Sequence, residues 1–244
     1  MIPVFLGILF ILFFILEQAP GTPASNMMNP KMTPEQKAEL TQKLGLETPW
    51  YERFVNWVAE ALHGNLGYSI NHKKPVTEVI SDYVKPTLLL ALISLIIAVL
   101  IGVPAGIISA TKQYTAIDNV FTVISLIGVS IPSFFFGLLL LKAFAVDIQF
   151  FPLFGLKDPL LMSTSPVDKA LDVAWHLVLP SIVLGLGSTA TFMRYTRSSM
   201  LEVIRADYIT TAKAKGQNRR KVVFNHALPN ALIPIITIIG LEFG

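Results

Sequence analysis

The sequence predicts an all-α protein that crosses a membrane several times. Three observations predict it: apolar residues gather in runs of bilayer length, cations concentrate in one loop between such runs, and helix start and stop residues punctuate the polar stretches. Of the residues, 53% are hydrophobic and 14% are charged, against roughly 25% charged in a soluble domain. Mean hydropathy is +0.61. The charge deficit sits in the apolar runs, which marks an integral membrane protein. With 0 cysteines, disulfides, thiolate catalysis and cysteine-based metal sites are excluded. The basic balance could suggest nucleic acid, but the cations flank apolar runs, where membrane orientation explains them.

Five spans are expected, near 2–16, 87–110, 118–141, 176–194 and 231–244. The first is slightly shorter than the roughly 17 residues a spanning helix needs. No cation precedes it, which argues against a secretory signal peptide. It is expected to be a span lacking its start, and 231–244 a span lacking its end. Residues 17–86 read as a small helical segment outside the membrane, and 87–244 as the membrane core. Within that segment, Thr33-Pro34-Glu35-Gln36 forms a capping box with proline at the first helical position, and Gly45 is a plausible stop. A second helix starts at Thr48-Pro49. It carries Trp50, Phe54, Trp57, Val58, Ala61 and Leu62 on one face and ends at Gly64. Such a helix suits a cap on the membrane domain or a docking surface for an external partner.

Orientation follows from charge. Residues 194–228 hold eight cations (Arg194, Arg197, Arg205, Lys213, Lys215, Arg219, Arg220, Lys221) against Glu202 and Asp207. Residues 147–175 hold Lys157 and Lys169 against Asp147, Asp158, Asp168 and Asp172. The positive-inside rule puts the first loop in the cytoplasm and the second outside, so alternation places 17–85 outside.

The cationic loop, 197–230, reads as two short amphipathic helices about Gly216. Ser198 to Lys215 is expected as one helix with Leu201, Ile204, Tyr208 and Ala212 on one stripe. Gly216 offers a left-handed stop. Arg219-Arg220-Lys221 opens a second run, which Leu228-Pro229 closes before the last span. This knob fits a groove on another protein. It also suits an interfacial helix held by anionic membrane lipid, or charge that only sets topology.

The motif resembles the EAA loop of binding-protein-dependent ABC importer permeases: Glu-Ala-Ala, three residues, Gly, nine residues, Ile, one residue, Leu-Pro. Anchored on Gly216, Ala212, Leu228 and Pro229 match, while Thr210, Thr211 and His226 depart. "DYITTAKAKG" with "HALPNALIP" is closer to the peptide/nickel branch. "APGTPA", with Thr22 in place of an aspartate, "LGLETPWYERF", "GVSIPSFFFGLLLL" and "FPLFGL" follow in the order of the B-type permease of oligopeptide and dipeptide importers. The resemblance implies the type I importer permease fold, with five of an expected six spans, in a bacterial inner membrane. It implies a second related permease, two cytoplasmic ATPases and an external solute-binding protein. The knob at 197–230 would then be the coupling helix, seated in a cleft of an ATPase. Asp207, Lys213 and Lys215 would set orientation, Ala212 and Ala214 would allow close approach, and Gly216 the turn; Tyr208, Thr210, Thr211, Leu228 and Pro229 complete the loop. ATP and Mg would bind the partners, because no Gly-x-x-x-x-Gly-Lys-(Ser/Thr) phosphate loop occurs in this chain.

A solute path is sought where helices are punctuated: Gly102 and Pro104, Gly128 and Pro132, Gly185 and Gly187 are expected to break the second, third and fourth spans. Close helix packing explains the small residues equally. If these spans line a path, Ser125, Ser130 and Ser133 offer polar contacts, unless they bond back to their own helix. Glu242, roughly 16 Å into the last span at 1.5 Å per residue, is the one deep carboxylate. It suits a peptide's ammonium group, a pairing partner in another span, or a proton site. The last option underlies the alternative reading, a stand-alone proton-coupled carrier or channel subunit. His63, His72, His176 and His226 lack metal-ligand spacing.

Overall fold

A computed structural model describes residues 1–19, 32–36 and 48–242. Its elements are helices apart from one two-stranded ribbon. They fall into two compact units, Met1–Lys85 and Pro86–Gly244.

In the first unit, α1 (Ile2–Gln18) is wholly apolar up to Glu17, and α2 (Trp50–Leu62) docks on it through aromatic rings. Phe10 and Phe14 meet Trp50, and Phe10 and Phe13 meet Phe54, at centroid distances of 5.4–5.6 Å. Glu17 and Arg53 close the pair as an ion pair. The inward stripe is Trp50, Phe54, Trp57, Val58 and Ala61. Leu62, assigned to that stripe by the sequence, is 83% exposed, because the helix ends there. Thr33 and Gln36 do cap each other: the Gln36 N–H donates to Thr33 Oγ1 at 3.3 Å and the Thr33 N–H to Gln36 Oε1 at 3.1 Å. Gly45 and Pro20–Ala24 of "APGTPA" lie outside the described residues. A short ribbon, β1 (Tyr68–Ser69) with β2 (Lys74–Pro75), leads into α3 (Val76–Thr111).

The second unit contains α3 from Pro86 onward, α4 (Ala116–Ser130), α5 (Ser133–Asp147), α6 (Pro166–Ile204), α7 (Asp207–Ala214) and α8 (Arg219–Glu242). Three helices, α3, α6 and α8, are long and apolar enough to cross a membrane. The expected third span, 118–141, is instead two helices, α4 and α5, bent by 96°. Pro132 has no N–H to continue the ladder, and its ring drives Ile131 into extended backbone (φ −78°, ψ 123°). The other expected breaks are absent: α3 runs through Gly102 and Pro104, and α6 through Gly185 and Gly187.

Close packing accounts for those glycines. A Cβ on Gly102 would stand 2.6 Å from the Thr189 carbonyl oxygen, and one on Gly106 would stand 2.6 Å from both the Met193 oxygen and Thr196 Cβ. Ala98, Gly102, Gly106 and Ala110 recur every fourth residue, so one face of α3 is small enough for α6 to lie against its backbone. Lipid tails are as apolar as a leucine, so contact density rather than exclusion from water holds such helices together. Phe192 of α6 fills the remaining space with Ala98 of α3 and Ile235 of α8.

Candidate functional site

The cationic loop folds as an elbow on the ends of α3, α6 and α8. The expected single helix from Ser198 to Lys215 is split: α6 ends at Ile204, Arg205 closes it, and extended Ala206 (ψ 149°) opens α7. The break displaces one member of the expected stripe, while Leu201, Ile204 and Ala212 stay inward. Ile209 is fully buried, whereas Tyr208, the residue expected on the inner face, is 46% exposed. Ile209 and Ala212 pack with Ala110, Met200, Val222, Val223 and Ala227.

The stop at Gly216 is a Schellman motif. The Gly216 N–H donates to the Lys213 oxygen at 3.0 Å and the Gln217 N–H to the Ala212 oxygen at 3.4 Å. Gly216 has φ +73°, and nothing lies within 4 Å of a Cβ placed there. Glycine is therefore required by the backbone and not by crowding. Asn218 then caps the next helix by accepting from the Arg220 N–H at 3.0 Å.

Leu228-Pro229 does not close this second run. Helix α8 continues from Arg219 to Glu242 through widened turns at Val222–Ala227, where the Leu228 N–H reaches the Val223 oxygen five residues back. A widened turn shifts the carbonyl that the Pro229 ring would strike, so the proline is carried without a break. The Asn230 side-chain amide donates to the His226 carbonyl oxygen at 2.8 Å, and His226 Nε2 lies 2.7 Å from Gln217 Oε1, which ties α8 back to the elbow.

Of the loop residues singled out in the sequence, Asp207, Tyr208, Thr210, Thr211, Lys213, Ala214, Lys215 and Gly216 form the exposed outer face. Ala212 is turned inward, so its small side chain serves packing within the chain and not approach by a partner. Leu228 is half-buried and Pro229 exposed at the start of the last span.

Beside the elbow lies a cluster that sequence reading missed. Asp118, near the start of α4, is 2% exposed. Arg197 of α6 holds it two-pronged, Nε to Oδ1 at 2.7 Å and Nη2 to Oδ2 at 2.9 Å. Ser109 Oγ of α3 also donates to Oδ1, and the Tyr114 N–H to Oδ2 at 3.0 Å. Each carboxylate oxygen therefore has two donors, which is what makes a buried charge tolerable. The sequence signal was weak: a lone aspartate at a span end, its partner 79 positions away. Two more arginines reach the same α3–α4 turn: Arg219 Nη2 donates to the Thr111 oxygen at 2.5 Å and Arg205 Nη2 to Gln113 Oε1 at 3.5 Å.

A second feature is a recess of about 480 Å³ at the α4–α5 break. Gly128, Pro132 and Ser133 line it from one side, Gly187, Ser188 and Thr191 of α6 from another, and Glu242 of α8 joins them. Three of the suggested path residues, Pro132, Ser133 and Glu242, thus come together. Ser125 and Ser130 do not: their hydroxyls donate to the Thr122 and Leu126 carbonyls of their own helix, each at 2.8 Å. Ser188 and Thr191 join in their place; their position three residues apart on α6 was the available cue. Among the described residues, no His, Cys, Asp and Glu cluster suits a metal ion.

Comparison with known proteins agrees with this architecture. A family model described as the binding-protein-dependent transport system inner membrane component matches residues 102–244. The oligopeptide transport system permease protein AppB of Bacillus subtilis is 41% identical over 241 residues, covering 98% of this chain and 75% of that protein. The dipeptide transport system permease proteins DppB of Alkalihalophilus pseudofirmus and of Escherichia coli K12 are 38% and 35% identical, over 100% of this chain and 77% of each protein. The chain therefore belongs to the inner-membrane components of binding-protein-dependent transport systems, as a multi-pass permease of the bacterial inner membrane.

Proposed function

We propose that this chain forms half of a peptide pore, opened and closed by ATP hydrolysed on separate subunits. The observation that carries the reading is the elbow: a Schellman-capped helix whose inner face is packed on three membrane helices and whose outer face is polar and exposed. An element built this way can take a push from outside and pass it to the spans without deforming. Asp207, Lys213 and Lys215 orient a cytoplasmic ATPase on that face, and Tyr208, Thr210, Thr211 and Ala214 make its contact surface. ATP and Mg bind the ATPases; this chain carries no phosphate loop of its own.

A second, related permease supplies the other half of the pore, two ATPases drive it, and an external solute-binding protein delivers cargo to residues 17–86. Peptides are the cargo class because the relatives are named for oligopeptide and dipeptide transport. The recess at the α4–α5 break is part of the path, with Ser133, Ser188 and Thr191 offering hydroxyls to peptide groups and Glu242 a charge for the amino end.

Reconstitution of this chain with its partner subunits in liposomes tests the proposal. Peptide uptake is expected only with ATP inside and the binding protein outside. Uptake by this chain alone under a proton gradient would instead favour a carrier that uses Glu242.

A further inference from the structure

We propose that Asp118 and Arg197 are positioning residues that lock the α3–α4 turn, the end of α6 and the elbow into one rigid lever, so that a push on the elbow reaches both walls of the recess. The inference rests on the ATP-coupled reading above. An ion pair with a buried carboxylate and a half-buried guanidinium is a poor device for stability alone, because taking a charge out of water costs much of what the pairing gains. What it supplies is a defined geometry, and here one carboxylate on α4 fixes α3 through Ser109, the turn through Tyr114 and α6 through Arg197. Tyr114 holds φ +63° without being glycine, a conformation its N–H bond to Asp118 helps to retain.

The position of the pair makes it a fulcrum. Arg197 lies seven residues before the end of α6 at Ile204, about 10 Å from the elbow. In the other direction, α4 runs from Asp118 to Gly128, about 15 Å, into one wall of the recess. The opposite wall, Val183 to Thr191, belongs to the same helix as Arg197. The two other ties to the turn are exposed, and the Arg205–Gln113 bond is long at 3.5 Å. Without the Asp118–Arg197 pair the elbow would swing while α4 stayed behind.

The test uses the whole transporter and reads two quantities, ATP hydrolysed and solute imported. Arg197→Lys keeps the charge but loses the two-pronged grip, and Asp118→Asn keeps the shape but loses the charge. Both variants are expected to retain the ATPases on co-purification and to hydrolyse ATP, with solute moved per ATP falling severalfold. Cysteines placed at Gln113 and Arg205 in the Asp118→Asn chain, which has 0 of its own, allow a short bifunctional cross-linker to replace the lost tie. Coupling should recover on cross-linking. An unchanged ratio in an assembled variant, or parallel loss of hydrolysis and import, overturns the proposal, as does failure of the cross-link to restore coupling. Should Asp118→Asn not assemble, Arg197→Lys carries the comparison, with the same cross-link as its rescue. If the unaltered transporter shows no ATP-driven import, the ATP-coupled reading itself has failed and the lever falls with it; if it imports normally, only the lever is in question.

Discussion

The elbow junction and the recess treat their polar groups in opposite ways. Around the elbow, Asp118, Arg197, Arg219, Gln217 and His226 find hydrogen-bond partners within the chain, although the buried Thr196 hydroxyl beside Arg197 has none among the described residues. In the recess, Ser133 and Glu242 are exposed and Ser188 and Thr191 half-buried, and their side chains are not tied to one another. A satisfied polar network in a low-dielectric setting fixes one geometry. An unsatisfied one awaits a ligand, water or another chain. The contrast separates a part that must transmit motion from a part that must exchange its contents.

The largest expected effect tests the scaffold that holds both regions. Gly106→Leu drives a side chain into the Met193 carbonyl and Thr196, contacts already at 2.6 Å for a bare Cβ. A loss of about 3 kcal/mol or more is expected, read as a drop in membrane-integrated yield and thermal stability. Normal yield would mean that α3 and α6 do not cross this closely.

Gly216→Val comes next and separates backbone from space. Room is ample, but valine at φ +73° costs about 1–2 kcal/mol. The elbow should therefore reshape while the spans stay folded, and import should fall with little change in the melting point of the purified chain. A wild-type import rate would remove the elbow from the mechanism.

Glu242→Gln sharpens the other side of the comparison. Having no partner among the described residues to lose, it should leave stability within about 0.5 kcal/mol. Import of peptides with a free amino end should drop more than import of their acetylated forms. Equal effects on the two would assign Glu242 to pairing with another span.

The smallest effect is expected at Lys142, paired with Asp147 at 2.7 Å but 70% exposed. Lys142→Gln should leave import unchanged and alter stability by less than about 1 kcal/mol, which makes it the control for exposed ion pairs against the one at Asp118.

Much of this was legible locally. The Thr33–Gln36 capping box and the glycine stops at Gly64 and Gly216 depend on residues a few positions apart, and such contacts can be read off a chain directly. Break points were less legible. Proline punctuates both α3 and the α4–α5 pair, yet only Pro132 bends its span, because Pro86, Pro104 and Pro180 sit inside helices that remain continuous. In the elbow stripe Leu201, Ile204 and Ala212 lie inward as expected, and Tyr208 alone is misplaced, because extended Ala206 interrupts the helix and Ile209 takes the inner position.

By itself the sequence determined the class of molecule, its family, the glycine stop of the elbow and an asymmetry of charge between its loops, all properties of composition or of near neighbours along the chain. Tertiary structure alone decided that Asp118 meets Arg197, that Ile209 rather than Tyr208 faces inward, and that Ser133, Ser188, Thr191 and Glu242 share one recess. Those facts depend on how helices far apart in sequence cross. The crossing is set by the shape of small-residue faces such as Ala98 to Ala110, and a one-dimensional pattern records the period of such a face but not what will lie against it.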